Sequence, residues 1–174
     1  MNIGRAVMRV RLAGMSVRIR VATVEDAPRV VEVYVDSWNA GFTGLMPPIA
    51  VDEGRIRRWA TDLADERNTW WVAEIDGSIA GLAGIGPSRD PVDPRLGELD
   101  TMAVDPAHWR AGIGTALMQT ALEALASTYP QAILWTLAGY DQGQRFYEST
   151  GWHLDGNTRD DGHQVSYRHD LSGG

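Results

Sequence analysis

Between Leu96 and Pro130 the hydrophobic period of the chain switches from that of a strand to that of a helix across a glycine-containing turn. Leu96 to Val104 is an apolar-rich run of strand length that stops at Asp105-Pro106. Trp109-Arg110-Ala111-Gly112-Ile113-Gly114-Thr115 follows, and opens a segment with Leu117, Met118, Ala121, Leu122 and Leu125 on one helical face. A buried-type strand that turns straight into an amphipathic helix needs other strands for the helix to cover, so the unit implies an α/β sandwich on one mixed sheet. Its turn also carries chemistry. The first N–H groups of a helix are unpaired and its dipole favours negative charge there, and glycines let a phosphate approach the backbone. No Gly-Lys-Ser/Thr follows and the three-glycine dinucleotide spacing is missing, so a single pyrophosphate is the expected ligand.

The other elements take their places around this unit. Val17 to Val21 alternates with period two, as a half-buried strand does, and Thr23, Glu25, Asp26 and Pro28 open a helix running to about Asn39. Gly41 to Pro48 has loop composition, and Val51 to Leu63 is helical again. Thr69 to Ile75 and Ser78 to Ile85 are strands joined by Asp76-Gly77, a dipeptide suited to a tight hairpin turn. After Pro130 come a short strand at Ala132 to Leu137, a helix from Asp141 to Ser149 capped by Asp141 and stopped by Gly151, and two terminal strands. Residues 15–174 are expected to form one domain, with 1–14 a poorly ordered extension.

Composition narrows the function. A net charge of −7 with no basic stripe argues against a nucleic-acid partner. Cysteine is absent, so no cysteine nucleophile, disulfide framework or thiolate metal site exists. The four histidines lack ligand spacing with acidic partners, so no metal is expected. No stretch approaches the length of a membrane span, and the first fifteen residues do not fit a signal peptide, which points to the cytoplasm.

Some thirty residues after the turn stands Arg145-Phe146-Tyr147-Glu148-Ser149-Thr150-Gly151-Trp152. Together with Gly112-Ile113-Gly114 and the strand Glu98-Leu99 to Met102-Ala103-Val104, it resembles the GNAT acyltransferases, whose acyl-CoA loop reads Gln/Arg-x-x-Gly-x-Gly/Ala and whose later helix ends in Phe-Tyr-x-x-x-Gly-Phe. The resemblance covers roughly residues 17 to 171. Trp109 stands at the first loop position, with Arg110 next to it, and Tyr140 stands where many members carry Asn. The resemblance implies a mixed, mostly antiparallel central sheet flanked by helices and splayed at the acyl-CoA site. Met102, Ala103 and Val104 would then run beside the pantetheine arm, and Arg110, Ala111, Gly112, Ile113, Gly114 and Thr115 would hold the pyrophosphate of acetyl-CoA.

It also implies direct N-acetyl transfer to an amine in a ternary complex, with Tyr147 protonating the departing thiolate and Glu98 removing the amine proton. Asp100 is a reserve base; on a regular strand it shares a face with Glu98. Glu98 as a surface residue in a salt bridge, and Tyr147 as a packing tyrosine, are the structural alternatives. Trp38, Phe42, Trp70 and Trp71 are aromatic enough to shape an acceptor pocket or a cation–π site. A catalytically silent acyl-CoA-binding sensor or interaction module is the competing function. Homodimers are frequent among the proteins it resembles, so a homodimer is a further expectation.

Overall fold

The computed structural model describes residues 7–12 and 14–172. In chain order the elements are β1 Met8–Leu12, β2 Met15–Val21, α1 Ala27–Gly41, α2 Glu53–Ala64, β3 Thr69–Ile75, β4 Ser78–Pro87, β5 Leu96–Val104, α3 Ile113–Ala126, β6 Gln131–Leu137, α4 Asp141–Ser149, β7 His153–Arg159 and β8 Gln164–Asp170. They build an eight-stranded sheet in the order β1-β2-β3-β4-β5-β6-β8-β7. Every neighbouring pair is antiparallel except β5 and β6.

Local chemistry accounts for most of these elements. The β3–β4 hairpin closes on Asp76 and Gly77, both with positive φ (50° and 81°), the turn whose twist matches that of antiparallel strands. Asp52 caps α2 by accepting from the Arg55 N–H at 2.8 Å. Trp70 and Trp71, adjacent on β3, pack into opposite faces of the sheet, as strand alternation requires. On one face α1 and Trp59 of α2 cover Trp70, Val72, Leu82 and Ala103. On the other, α3 lays Ile113, Leu117, Met118, Ala121 and Leu125 against Val17, Ile19, Trp71 and Leu99. Each of the large fully buried side chains contributes about 1.5–3 kcal/mol.

Two expectations are corrected. Met8–Leu12, placed in the unordered extension, is a strand: it pairs with β2 from Met8 opposite Ile19 to Leu12 opposite Met15, with Val10 and Leu12 against the core and Arg9 and Arg11 exposed. Its alternation matches that of β2, but five residues are too short to stand out until a partner strand is beside them. The rest of the proposed extension, residues 1–6 and 13, lies outside the described residues. The second correction concerns α4, which is capped by Tyr140, with Asp141 as its first residue. None of the helices among the described residues is long and apolar enough to cross a membrane.

Candidate active site

Strand β5 divides the sheet. On one side it pairs with β4 along its length, from Gly97 opposite Pro87 to Val104 opposite Gly81. On the other it pairs with β6 only through Leu96, Gly97 and Glu98, after which the two strands diverge. The backbone of β5 beyond Glu98 therefore has no strand partner on that side, and a cleft of about 480 Å³ fills the gap. Its walls are Asp100 to Val104 of β5, Trp135 to Leu137 of β6, the start of α3, the inner face of α4, and Tyr34, Ser37 and Trp38 of α1 with Phe42 just past its end.

The register of β5 against β4 shifts between Gly84 opposite Thr101 and Ile85 opposite Leu99, which leaves Asp100 as an extra, unpaired residue. Such a bulge re-aims side chains. Beyond it Met102 and Val104 pack on the same face as Leu99, while Ala103 packs on the other. The regular strand expected here is thus broken at Asp100.

At the wide end of the cleft, Gly112 caps α3 with φ 87°, a conformation costly for any other residue, and the N–H groups of Ile113, Gly114 and Thr115 open the helix without intrahelical partners. Arg110 is also left-handed, with φ 61°, and exposed. Trp109 holds the turn in place by donating its indole N–H to the Val104 carbonyl at 2.7 Å, so the residue that replaces the family's Gln or Arg ties the turn to the end of β5. Arg110, Gly112, Gly114 and Thr115 line the cleft together with Met102, Ala103 and Val104. Ile113 faces the core, 1% exposed, and Ala111 does not border the cleft. The fit to an acyl-CoA rests on this geometry: an anion-favouring helix start and strand backbone without a strand partner border the same cleft.

Tyr147 lines the same cleft from α4. Its ring packs against Phe146 and Tyr167, at 5.7 and 6.1 Å between centroids, and burial raises its phenol above the ordinary value. The fraction of the side chain reached by solvent is intermediate, yet the surroundings are apolar enough that desolvation dominates.

Glu98 lies outside the cleft walls. It is buried, 7% exposed, with Oε2 accepting the Arg89 backbone N–H at 3.0 Å, and burial pushes its carboxyl up against the opposing pull of Arg89. Asp100 borders the cleft, and its Oδ1 lies 2.6 Å from Arg89 Nη2, which also stands 3.8 Å from Glu98 Oε1. One guanidinium thus links both candidate bases. Of the four aromatics expected to shape an acceptor pocket, Trp38 and Phe42 line the cleft; Trp70 is a core residue that borders a second cavity, and Trp71 lies in the core of the opposite face.

Sequence reasoning reads Tyr140 only as a departure from the family's Asn and Tyr34 only as a residue at helical spacing, and counts neither among the pocket aromatics; both line the cleft. Ring contacts run from Trp59 to Tyr34 (5.2 Å), Tyr34 to Trp38 (5.9 Å), Trp38 to Phe42 (4.8 Å) and Phe42 to Tyr140 (4.9 Å), so one aromatic chain spans from α2 across α1 to the start of α4. Tyr34, Trp38 and Phe42 recur every four residues, and that spacing was the available signal. Among the described residues no three His, Cys, Asp or Glu side chains gather in a metal-holding group.

The model of the acetyltransferase (GNAT) family matches residues 27–152, which include the bulged strand, the glycine turn and the Tyr147 helix. The chain belongs to the GNAT acetyltransferase family. This GNAT chain is 30% identical to a probable N-acetyltransferase of Mycobacterium tuberculosis over 82% of its own length and 83% of the relative's. It is 26% identical to the phosphinothricin N-acetyltransferase of Streptomyces viridochromogenes, over 89% and 84% of the two chains. Its fold is shared with the PaiA N-acetyltransferase of Thermoplasma acidophilum, solved in complex with coenzyme A, at TM-score 0.72 and 18% identity over 90% of this chain and 99% of that one. The GNAT domain of Streptomyces lividans PAT superposes with TM-score 0.75 at 19% identity, over 94% and 96%.

Proposed function

We propose that this GNAT protein transfers an acetyl group from acetyl-CoA directly to the amine of an acceptor, both bound at once. The observation that carries the reading is the continuity of the cleft: the helix-start turn at Gly112 to Thr115, the unpaired backbone of β5 and Tyr147 all border one space. The curated relatives named N-acetyltransferases support the same chemistry.

Bound there, acetyl-CoA supplies an activated acyl carbon. The N–H groups of Gly114 and Thr115 face its pyrophosphate, where the dipole of a 14-residue helix favours negative charge. Met102 to Val104 offer backbone groups to the pantetheine amides, and an N–H there stabilises the developing oxyanion, a contribution of about 3–4 kcal/mol where water is excluded. As the C–N bond forms and the C–S bond breaks, the amine gives up a proton and the thiolate takes one. Glu98 receives the first through water, with Asp100 at the cleft as the reserve base; Tyr147, its phenol kept protonated by burial, donates the second. Holding the two reactants together does most of the rest.

The test is a titration of acetyl-CoA binding together with thiol release from acetyl-CoA against an amine panel, for wild type and Tyr147→Phe at equal cofactor occupancy. Tight binding with acceptor-dependent release that collapses in the variant is the expected result. Binding without release from any acceptor would turn the assignment toward a silent acyl-CoA sensor, and no binding at all would sink it.

A further inference from the structure

Behind the bulge at Asp100 lies a second cavity of about 220 Å³, which shares Tyr34, Asp100 and Thr101 with the main cleft. Its far wall is α2. Arg55, Arg58 and Asp62 occupy helical spacing on one side of that helix and line the cavity together, with Trp59 and Trp70 forming its floor. Of the three arginines on α2, Arg57 pairs with Glu53 at 3.5 Å, while neither Arg55 nor Arg58 has a carboxylate within 4 Å among the described residues. The carboxylate nearest the cleft, Asp100, already carries Arg89. The cavity therefore holds three guanidiniums, Arg55, Arg58 and Arg89, against the two carboxylates of Asp62 and Asp100, with Asp100 and its Arg89 partner at the mouth and Arg55 and Arg58 without a direct ion pair at the far end.

We infer that this cavity is the acceptor subsite, and that it takes a small zwitterion: an amine carrying a carboxylate or phosphonate a few bonds away. The inference rests on the acetyl-transfer reading and deepens it. An amine at Asp100 stands at the border of the two cavities, where a bound thioester would be reached, while the oxyanion lies against Arg55 and Arg58. Guanidiniums suit that role because their planar donor forks match carboxylate and phosphonate oxygens. A plain alkylamine would leave three arginines facing only two carboxylates in the cavity, and a bulky peptide would not enter a cavity of this size. Arg58 is the cleaner probe of the two, being exposed, whereas Arg55 also holds the Ala50 carbonyl at 3.0 Å.

The experiment compares the proteinogenic α-amino acids and a series of aminoalkyl phosphonates with the same amines stripped of the acid group. Binding is followed by quenching of the tryptophans that floor the cavity, and turnover by thiol release, in wild type, Arg58→Gln and Arg58→Lys. At least one zwitterion should bind and be acetylated with kcat/KM tenfold or more above its acid-free counterpart. Arg58→Gln should raise its KM about tenfold with little change in kcat and erase the preference, and Arg58→Lys should restore part of it. If no zwitterion quenches, if acid-free amines or peptides are preferred, or if Arg58→Gln leaves the preference intact, the inference is overturned. Acetyl-CoA binding and transfer to those other acceptors would persist in each of these cases, so the failure is distinct from that of the acetyl-transfer reading. Carboxylate and phosphonate members of the panel separate the two sources of the anionic group.

Discussion

The ring of Tyr140 lies directly over Gly143 of α4, so close that a Cβ on Gly143 would collide with it. The same ring makes a T-shaped contact with Phe42 at 4.9 Å between centroids, which joins the α1 and α4 walls of the cleft. Gly143→Ala must therefore move Tyr140. Loss of one edge-to-face pair costs about 0.5–1.5 kcal/mol, and alanine in place of glycine inside a helix returns roughly 0.5–1 kcal/mol. Thermal unfolding should shift little, while kinetic constants for the acceptor should change because the cleft wall has been displaced.

Gly84→Ala is the contrasting case. The space above Gly84 is filled by the Trp70 ring, which is 4% exposed and held by its indole N–H on the Asp62 carbonyl at 3.1 Å. Unlike Tyr140 it has nowhere to go, so overpacking should cost about 1–3 kcal/mol. Chemical denaturation of the variant checks this, and an unchanged midpoint would contradict the packing described here.

Thr115→Glu separates cofactor binding from folding. Thr115 is exposed in the first turn of α3, where an acidic side chain favours the helix by about 0.3–1 kcal/mol. The same carboxylate would face a pyrophosphate, and two like charges near 4 Å at a protein surface repel by up to about 4 kcal/mol before salt screening. The expected outcome is an unfolding temperature equal to or above that of wild type, with CoA affinity lowered roughly tenfold or more, recovering partly at high salt.

Tyr147→Phe keeps the ring contacts with Phe146 and Tyr167 and removes only the proton donor. A positioned general acid is typically worth 10²–10⁴-fold, so kcat should fall by about 10² or more with CoA affinity nearly unchanged. The pH profile carries a second check. Burial raises the Glu98 carboxyl, and its ionised form is the one that accepts a proton, so the rate should climb with pH through a value above the ordinary 4.5. Burial also raises Tyr147, so loss of its proton should not limit the rate below the ordinary phenol value of 10. Glu98→Gln should abolish the acidic limb.

Stability in acid should track the Arg20 cluster. Arg20 donates to Asp26 at 2.7 and 2.9 Å and to Glu74 at 2.8 Å, and the Asp26 carboxyl is held below the usual carboxylate range chiefly by Arg20. A depressed carboxyl stabilises the fold above its unfolded-state value and loses that contribution as pH falls through the folded-state value. Asp26→Asn should therefore cost about 1.5–3 kcal/mol at pH 7, the usual worth of bonds to charged groups, and the gap between variant and wild type should close progressively below pH 4.

How much of this was written in the chain follows from the range of the forces involved. The bounds of β5, the Asp76-Gly77 turn, the glycine-capped start of α3 and the course of α4 from Asp141 to Ser149 rest on φ preferences, capping and hydrophobic period, which act within a few residues and so are legible in sequence. The same holds for the grouping of Gly112, Gly114 and Tyr147 as candidates, carried by spacing and by family resemblance. Tertiary pairing decided the rest. Met8–Leu12 becomes a strand because β2 offers an edge, and Asp100 leaves the regular alternation because the register of β4 against β5 slips beside it. Glu98 withdraws behind the cleft because Arg89, nine residues earlier in the chain, folds over it. Arg55 and Arg58 look like an ordinary solvated helix face until α2 packs over Trp70 and beside the bulge at Asp100, which gives them a cavity to line, since a side chain's electrostatic role depends on neighbours that only the completed sheet brings together.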